Sequence, residues 1–285
     1  MKKTGKHIFY FLLFLVLVAL IPFKGMFGAK TEKVGLITLD YAITSSSQFN
    51  KELDYLIDRG DIKDVVLRLN TPGGGVASSQ EIYSRIISEK NKSNINFIAS
   101  MESVAASGGY YIAIAADEIF ANPGSITGSI GVIMEYPIID ELLETVGIEY
   151  NTIKSSSFKD SGSPFRDMTS EEKKYFQELI DDLYNQFIKA VSDERDISID
   201  RVREIANGKV YSGKQAHEIG LVDTLGSLND VLDYIKSKRE YKNKIEVINM
   251  PNEENSIFDF IFNILSYKLE PSNLNYTLPQ YLIVN

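Results

Sequence analysis

From Lys33 onward, short apolar runs alternate with stretches of helical periodicity. Val34–Leu39 predicts a strand, and Phe49, Leu53, Leu56 and Ile57 give one face of a helix. Val65–Leu69 predicts a second strand, which runs into Asn70-Thr71-Pro72-Gly73-Gly74-Gly75. Ile82–Ile87 predicts a helix and Phe97–Met101 a strand. Small residues then lead through Gly109 to Tyr110–Ala116. Ile119–Ala121, Val132–Met134 and Ile148–Ile153 each predict a further short strand. Strands separated by helices imply a mostly parallel sheet built from βαβ units.

The clearest single element lies downstream. Thr169 with Glu172 three residues on forms a capping-box pattern, and Phe176, Leu179, Ile180, Leu183, Phe187, Ile188 and Val191 follow at helical spacing. A second helical stretch spans Val202–Ala206, and Gly220 reads as a helix stop. No internal repeat is visible. Residues 251–285 change character, with Pro251, Pro271 and Pro279 and an apolar end at Tyr281–Val284, and read as an appended tail.

The first thirty residues are separate. Lys2, Lys3 and Lys6 precede an uncharged apolar run, Ile8–Phe23, closed by Lys24. The run is slightly short of the ~20 residues of a spanning helix, but its flanking lysines can extend to the interfaces. Met26 and Phe27 occupy much of the zone where a cleaved signal peptide needs small residues. The pattern therefore favours an uncleaved signal anchor, basic end inside, with the rest of the chain outside the cell. Three segments result: a basic end and membrane anchor over 1–30, an extracytoplasmic domain over 31–250, and the tail over 251–285.

Composition narrows the chemistry. The chain has no Cys, which excludes disulfides, a thiol nucleophile and thiolate metal sites. Its net charge of −9 argues against nucleic acid as the main partner. Without Lys2, Lys3, Lys6 and Lys24 the remainder carries −13, an acidic and soluble body. There are two histidines, and His7 precedes the anchor, so any histidine mechanism rests on His217. No cluster suited to a metal or organic cofactor is visible.

Three segments carry candidate chemistry. The glycines of Thr71-Pro72-Gly73-Gly74-Gly75-Val76 stand between a strand and a helix, where backbone N–H groups can face an anion. Neither the P-loop nor the dinucleotide-binding spacing is present, so the choice is an oxyanion hole or a tight turn. Ala105-Ala106-Ser107-Gly108-Gly109-Tyr110-Tyr111 places one serine among very small residues between a strand and a helix. That is the setting of a nucleophilic serine, though small residues also serve close packing. A serine nucleophile needs a base. His217 sits in a short polar stretch that reads as surface. A lysine can serve if its pKa falls from ~10.4 to roughly 7–8. Lys154 and Lys159 flank Ser155-Ser156-Ser157-Phe158, and either could equally be a plain solvated side chain.

Taken together, N-T-P-G-G-G-V (70–76), A-A-S-G-G-Y-Y (105–111), A-N-P-G-S-I-T-G-S-I-G-V (121–132), F-K-D-S-G-S-P-F-R-D-M-T (158–169) and N-G-K-V-Y-S-G-K-Q-A-x-E-x-G-L-V-D (207–223) resemble the bacterial signal peptide peptidase family. The likeness is to its short, single-repeat, membrane-anchored form and covers about residues 32–240. It implies the Clp protease/crotonase-like fold of repeated ββα units with a mostly parallel sheet, plus an N-terminal transmembrane helix. It further implies a Ser/Lys-dyad endopeptidase at the cytoplasmic membrane, acting on peptides such as remnant signal peptides. By position, Ser107 resembles the nucleophile, Lys159 the general base, Ser129 the hydroxyl that orients the lysine, and Gly74 and Gly108 the oxyanion donors. The chain departs from the pattern at Thr71, often Ser, and at Ser156 or Ser157, often Gly. In double-length members the serine and lysine come from different repeats, so a single-repeat chain is expected to form a homo-oligomeric ring with shared sites. Two other classes stay in view: a crotonase-like acyl-CoA enzyme and a non-catalytic membrane scaffold.

Overall fold

The computed structural model describes residues 31–251 and the pair Gln280–Tyr281. The elements in chain order are β1 (Glu32–Leu39), α1 (Ser47–Asp58), β2 (Asp64–Thr71), β3 (Gly74–Gly75), α2 (Val76–Ser93), β4 (Asn96–Ala106), α3 (Gly108–Ala113), β5 (Glu118–Ala121) and β6 (Ile126–Gly128). There follow α4 (Asp140–Thr145), α5 (Ser170–Arg195), α6 (Ile199–Ile205), β7 (Val210–Ser212), α7 (Gly213–Glu218), β8 (Thr224–Leu225), α8 (Leu228–Lys238), β9 (Ile245–Ile248) and β10 (Gln280–Tyr281).

The main sheet runs β7-β6-β4-β2-β1-β9, with β5 and β8 branching from β4. Every pairing in it is parallel except β6 with β7. Alternation along the central strands sorts side chains between two apolar layers. Val34, Val66 and Ile98 face Val231 and Ile235 of α8. Ile37, Leu67 and Phe97 of the same strands, at odd spacing from these, face the larger core with Phe49 and Leu53 of α1, Ile82 and Ile86 of α2, and Phe187 and Val191 of α5. Covering both faces is what a parallel sheet requires. The mixed α/β architecture with a mostly parallel sheet fits the expected Clp/crotonase-like fold.

Strand β4 is the pivot. Its first half, Ile98–Met101, pairs with β5, whereas its last residues, Val104–Ala106, pair with β6. The sheet therefore divides at its end, and the chain leaves β4 at Ser107 beside β6.

Two predicted strands are corrected. Within Val132–Met134 only Ile133 makes an isolated bridge, and the pairing strand lies earlier, at Ile126–Gly128. There Thr127 Oγ1 donates to the Ala105 carbonyl at 2.7 Å. Ile148–Ile153 forms no strand: Ile148, Tyr150 and Ile153 are exposed, and among the described residues no strand runs alongside to accept their alternation. The expected anchor over Ile8–Phe23 lies outside the described residues. Among the described residues no helix is long and apolar enough to cross a membrane.

Of the tail, Gln280 and Tyr281 pair antiparallel with Gly75 and Gly74.

Candidate active site

The glycine strip is shaped by its neighbours. Thr71 Oγ1 donates to the Tyr41 carbonyl at 2.5 Å and accepts the Gly73 N–H at 3.2 Å, which turns the chain after β2. Ile43 donates its N–H to Gly73 O at 2.8 Å and accepts the Gly75 N–H at 2.7 Å. With both flanking residues bonded to Ile43, the N–H and C=O of Gly74 point to the opposite edge. That is the edge on which Tyr281 lies. A Cβ at Gly74 would sit 2.1 Å from the Ile43 carbonyl oxygen, so no side chain fits. Gly74→Ala is expected to destabilise the fold by at least ~2 kcal/mol through backbone displacement, read as a lowered denaturant midpoint.

Ser107 stands where β4 meets α3. Its N–H donates to Gly128 O at 2.8 Å and its carbonyl accepts the Tyr111 N–H at 2.9 Å. These bonds hold it at φ 54, ψ −117, a conformation costing a non-glycine residue on the order of 1–3 kcal/mol. Ser107 is only 1% exposed. The N–H of Gly108 opens α3, where a helix leaves its first donors without intrahelical acceptors. A Cβ on Gly109 would meet Thr71 Cγ2 at 2.8 Å, so α3 packs directly on the end of β2. Residues of α3 and of β3 accordingly come within 8 Å of one another, Cα to Cα. The fold thus gathers Ser107, Gly108 and the glycine strip at one end of the sheet.

Among the described residues five non-glycine positions have positive φ: Asn94, Ser107, Ser129, Asp196 and Glu240. Asn94 and Asp196 are left-handed helix C-caps, and Glu240 directly follows the C-cap of α8. The two that end no helix are Ser107 and Ser129. Ser129 sits one residue past β6 at φ 50, its N–H donating to Lys209 O at 2.8 Å. It lines a cavity of about 820 Å³, walled by Ile130, Val132, Ile180 and Tyr184 with Lys209.

The two candidate lysines differ sharply. Lys154 Nζ donates to Asp160 Oδ1 at 2.6 Å and to Ser157 O at 3.1 Å. Lys159 is exposed, and its amine makes no hydrogen bond or ion pair among the described residues, including to Ser107 or Ser129. Within one chain, then, the structure does not join Ser107 and Lys159. His217 is exposed on α7, with Nδ1 3.2 Å from Val222 O.

Sequence reasoning assigned no role to Arg166. Its Nε and Nη2 clamp the two oxygens of Asp160 at 2.9 and 2.8 Å, and Nη1 and Nη2 clamp those of Glu172 at 2.9 and 2.5 Å. Glu172 also accepts the Thr169 N–H and the Ser161 hydroxyl, each at 2.9 Å. Hydrogen bonds from Arg166, then from Lys154, hold the Asp160 carboxyl well below the usual carboxylate range. Arg166, helped by Thr169 and Ser161, takes Glu172 down to about 2. The signal was present as charges of alternating sign, Lys154, Asp160, Arg166 and Glu172, at six-residue steps.

A depressed folded-state pKa contributes stability that is fully present above the unfolded value and lost as pH falls through the folded one. For Glu172 that window runs from its ordinary value, 4.5, down to about 2. Denaturant midpoints of the native chain are expected to fall across it. In Glu172→Gln, lower at neutral pH, they should fall less steeply.

A mixed α/β fold that sets a strained, buried serine at a strand-to-helix turn beside the edge of Gly74 has the layout of a serine hydrolase. Comparison with known sequences places it within that class. The profile described as peptidase family S49 matches residues 89–242, a span holding Ser107, Ser129 and Lys159 but not Gly74. The chain belongs to this family, in its signal peptide peptidase A-like branch. A Synechocystis sp. protein named a protease is 44% identical over 168 residues, 58% of this chain and 59% of its own length. A Methanocaldococcus jannaschii protein named a protease is 38% identical over 203 residues, 71% and 64% respectively. An Enterococcus faecium protein named signal peptide peptidase SppA is 40% identical over 237 residues, 76% and 69%. The chain thus spans less than two thirds of the first two relatives.

Proposed function

We propose that the chain is a membrane-anchored serine endopeptidase with a Ser/Lys dyad. The observation that carries this reading is the backbone at Ser107: a strained strand-to-helix turn beside Gly108 and the strand edge of Gly74. In the proposed cycle the Ser107 hydroxyl attacks a peptide carbonyl and Lys159 takes its proton. The N–H groups of Gly108 and Gly74 stabilise the oxyanion. Lys159 then protonates the leaving amine, and water releases the acyl group by the reverse sequence. Ser129 orients the amine of Lys159.

The substrate is an extended peptide. The antiparallel pairing of Gln280–Tyr281 on Gly74–Gly75 supports this, because an extended substrate would take the place that these two residues hold on that edge. Remnant signal peptides at the outer face of the cytoplasmic membrane are the proposed physiological class, consistent with the apolar run Ile8–Phe23 as an anchor.

Lys159 reaches Ser107 from a neighbouring subunit in this reading. Its amine has no partner among the described residues, and the stretch before it exposes Ile138, Leu142, Val146, Ile148, Tyr150 and Ile153. Contiguous exposed apolar side chains mark an interaction surface, and a heterologous contact that closes forms a ring.

The test is covalent labelling of the full-length chain with a fluorophosphonate probe, mapped by mass spectrometry. Modification at Ser107 is expected, with a rate that falls toward acid as the lysine amine takes up a proton. Labelling elsewhere, or none, would return the acyl-CoA enzyme or the scaffold to the front. A rate unchanged from about pH 9 to about pH 5 would exclude a lysine base.

A further inference from the structure

We propose that Arg166 is a positioning residue for Lys159: by holding Asp160 in a closed ion network, it aims the neighbouring lysine and leaves its amine unpaired. The proposal rests on Lys159 as the base.

The geometry is unusually complete for a surface segment. Arg166 grips Asp160 side-on through Nε and Nη2 and Glu172 end-on through Nη1 and Nη2, and Nη1 and Nη2 also donate to the carbonyls of Asp167 at 2.9 Å and Asp160 at 3.3 Å. Every N–H of the guanidinium therefore has an acceptor. Glu172 is buried and belongs to the capping box of α5, so the network is fastened to a rigid helix and not to another loop. On the other side of the lysine, the Phe158 ring packs against Tyr175 of α5, centroids 5.6 Å apart. Both sequence neighbours of Lys159 are thus tied to the first turns of α5, and Lys159 projects between them.

The charges balance as well. An aspartate next in sequence to a lysine is a ready partner for its ammonium, and such a pair would hold the lysine protonated. Here both Asp160 oxygens are already occupied, one by Lys154 and Arg166 and the other by Arg166. Lys154, Asp160, Arg166 and Glu172 sum to zero, so the cluster offers Lys159 no net countercharge. The other charged groups on this segment and the first turn of α5, Asp167, Glu171 and Lys173, are exposed and outside the network.

The experiment measures kcat and KM against pH with the full-length chain and a peptide substrate. Arg166→Met is expected to lower kcat by about 10- to 10²-fold with little change in KM, as a misplaced base does. Its acid limb should move to higher pH, because the freed Asp160 carboxylate now holds Lys159 protonated. Adding Asp160→Asn to Arg166→Met should bring the limb back. Asp160→Asn alone keeps the Arg166–Glu172 clamp and should move the limb the opposite way, to lower pH. That variant decides the matter if thermal unfolding shows Arg166→Met to be misfolded. Arg166→Lys should recover only part of kcat, since an ammonium cannot clamp two carboxylates in bidentate fashion. If Arg166→Met loses kcat with an unmoved acid limb, or Asp160→Asn leaves the limb in place, Arg166 is merely structural. Should Lys159→Ala itself retain activity, the dyad fails instead, so the two failures are told apart.

Discussion

Ser107→Ala is expected to reduce peptide hydrolysis by on the order of 10⁴-fold or more and to abolish fluorophosphonate labelling. The loss should fall on kcat, because the hydroxyl forms a bond only as the reaction proceeds, while the edge of Gly74 still binds the peptide. The same position allows a second reading of its strain. Alanine keeps the Cβ and hence the cost of φ 54, whereas Ser107→Gly removes it. The glycine variant should be equally inactive and yet more stable than the alanine variant by ~1 kcal/mol in denaturant unfolding. Equal stabilities would mean that the turn at Ser107 stores no strain. Retained hydrolysis by either variant would remove Ser107 from the mechanism.

Lys159→Ala should be as inactive as Ser107→Ala when each is assayed alone, with Lys154→Ala far milder because Lys154 is already bound to Asp160. When the two inactive chains are co-assembled in equal amounts, activity should return. In a ring where each serine meets the lysine of the next subunit, random mixing leaves about one quarter of the sites with both groups intact. Recovery near that fraction is the expected result, read against subunit exchange verified by differently tagged chains. No recovery despite proven mixing would place serine and lysine in one subunit. The prediction is physical in origin. Among the described residues the amine of Lys159 is exposed and unpaired, Ser107 is buried at the sheet end, and the apolar side chains around 138–153 are left uncovered.

How far the sequence reaches depends on the range over which each feature is decided. The central strands β1, β2 and the first half of β4 were legible because a strand covered on both faces is a short continuous apolar run, as at Val65, Val66 and Leu67, all fully buried. Helix α5 began where Thr169 and Glu172 said it would, since a capping box is complete within three residues. Its apolar face was equally legible, yet of that face only Phe187, Ile188 and Val191 are buried, because among the described residues the amino-terminal half has less to pack against. Ser107 stood out by its small neighbours, and Lys159 by resemblance of its motif.

Tertiary structure decided the rest. Ile148–Ile153 has the alternation of a strand and is none, because a strand exists only when another lies beside it. That β6 lies at Ile126–Gly128 followed from where the end of β4 needed a partner. The positive φ of Ser107 is held by Gly128 at the end of β6 and by Tyr111 of α3, and the outward-facing edge of Gly74 follows from Ile43 taking both of its neighbours. Lys154 and Lys159 look alike in the sequence, and the contrast between a bound amine and a free one follows from how Arg166 draws Asp160 to α5. Local periodicity records which side of an element meets the core. Strand partners, backbone strain and charge networks depend on groups that only folding brings together, and there the sequence alone falls silent.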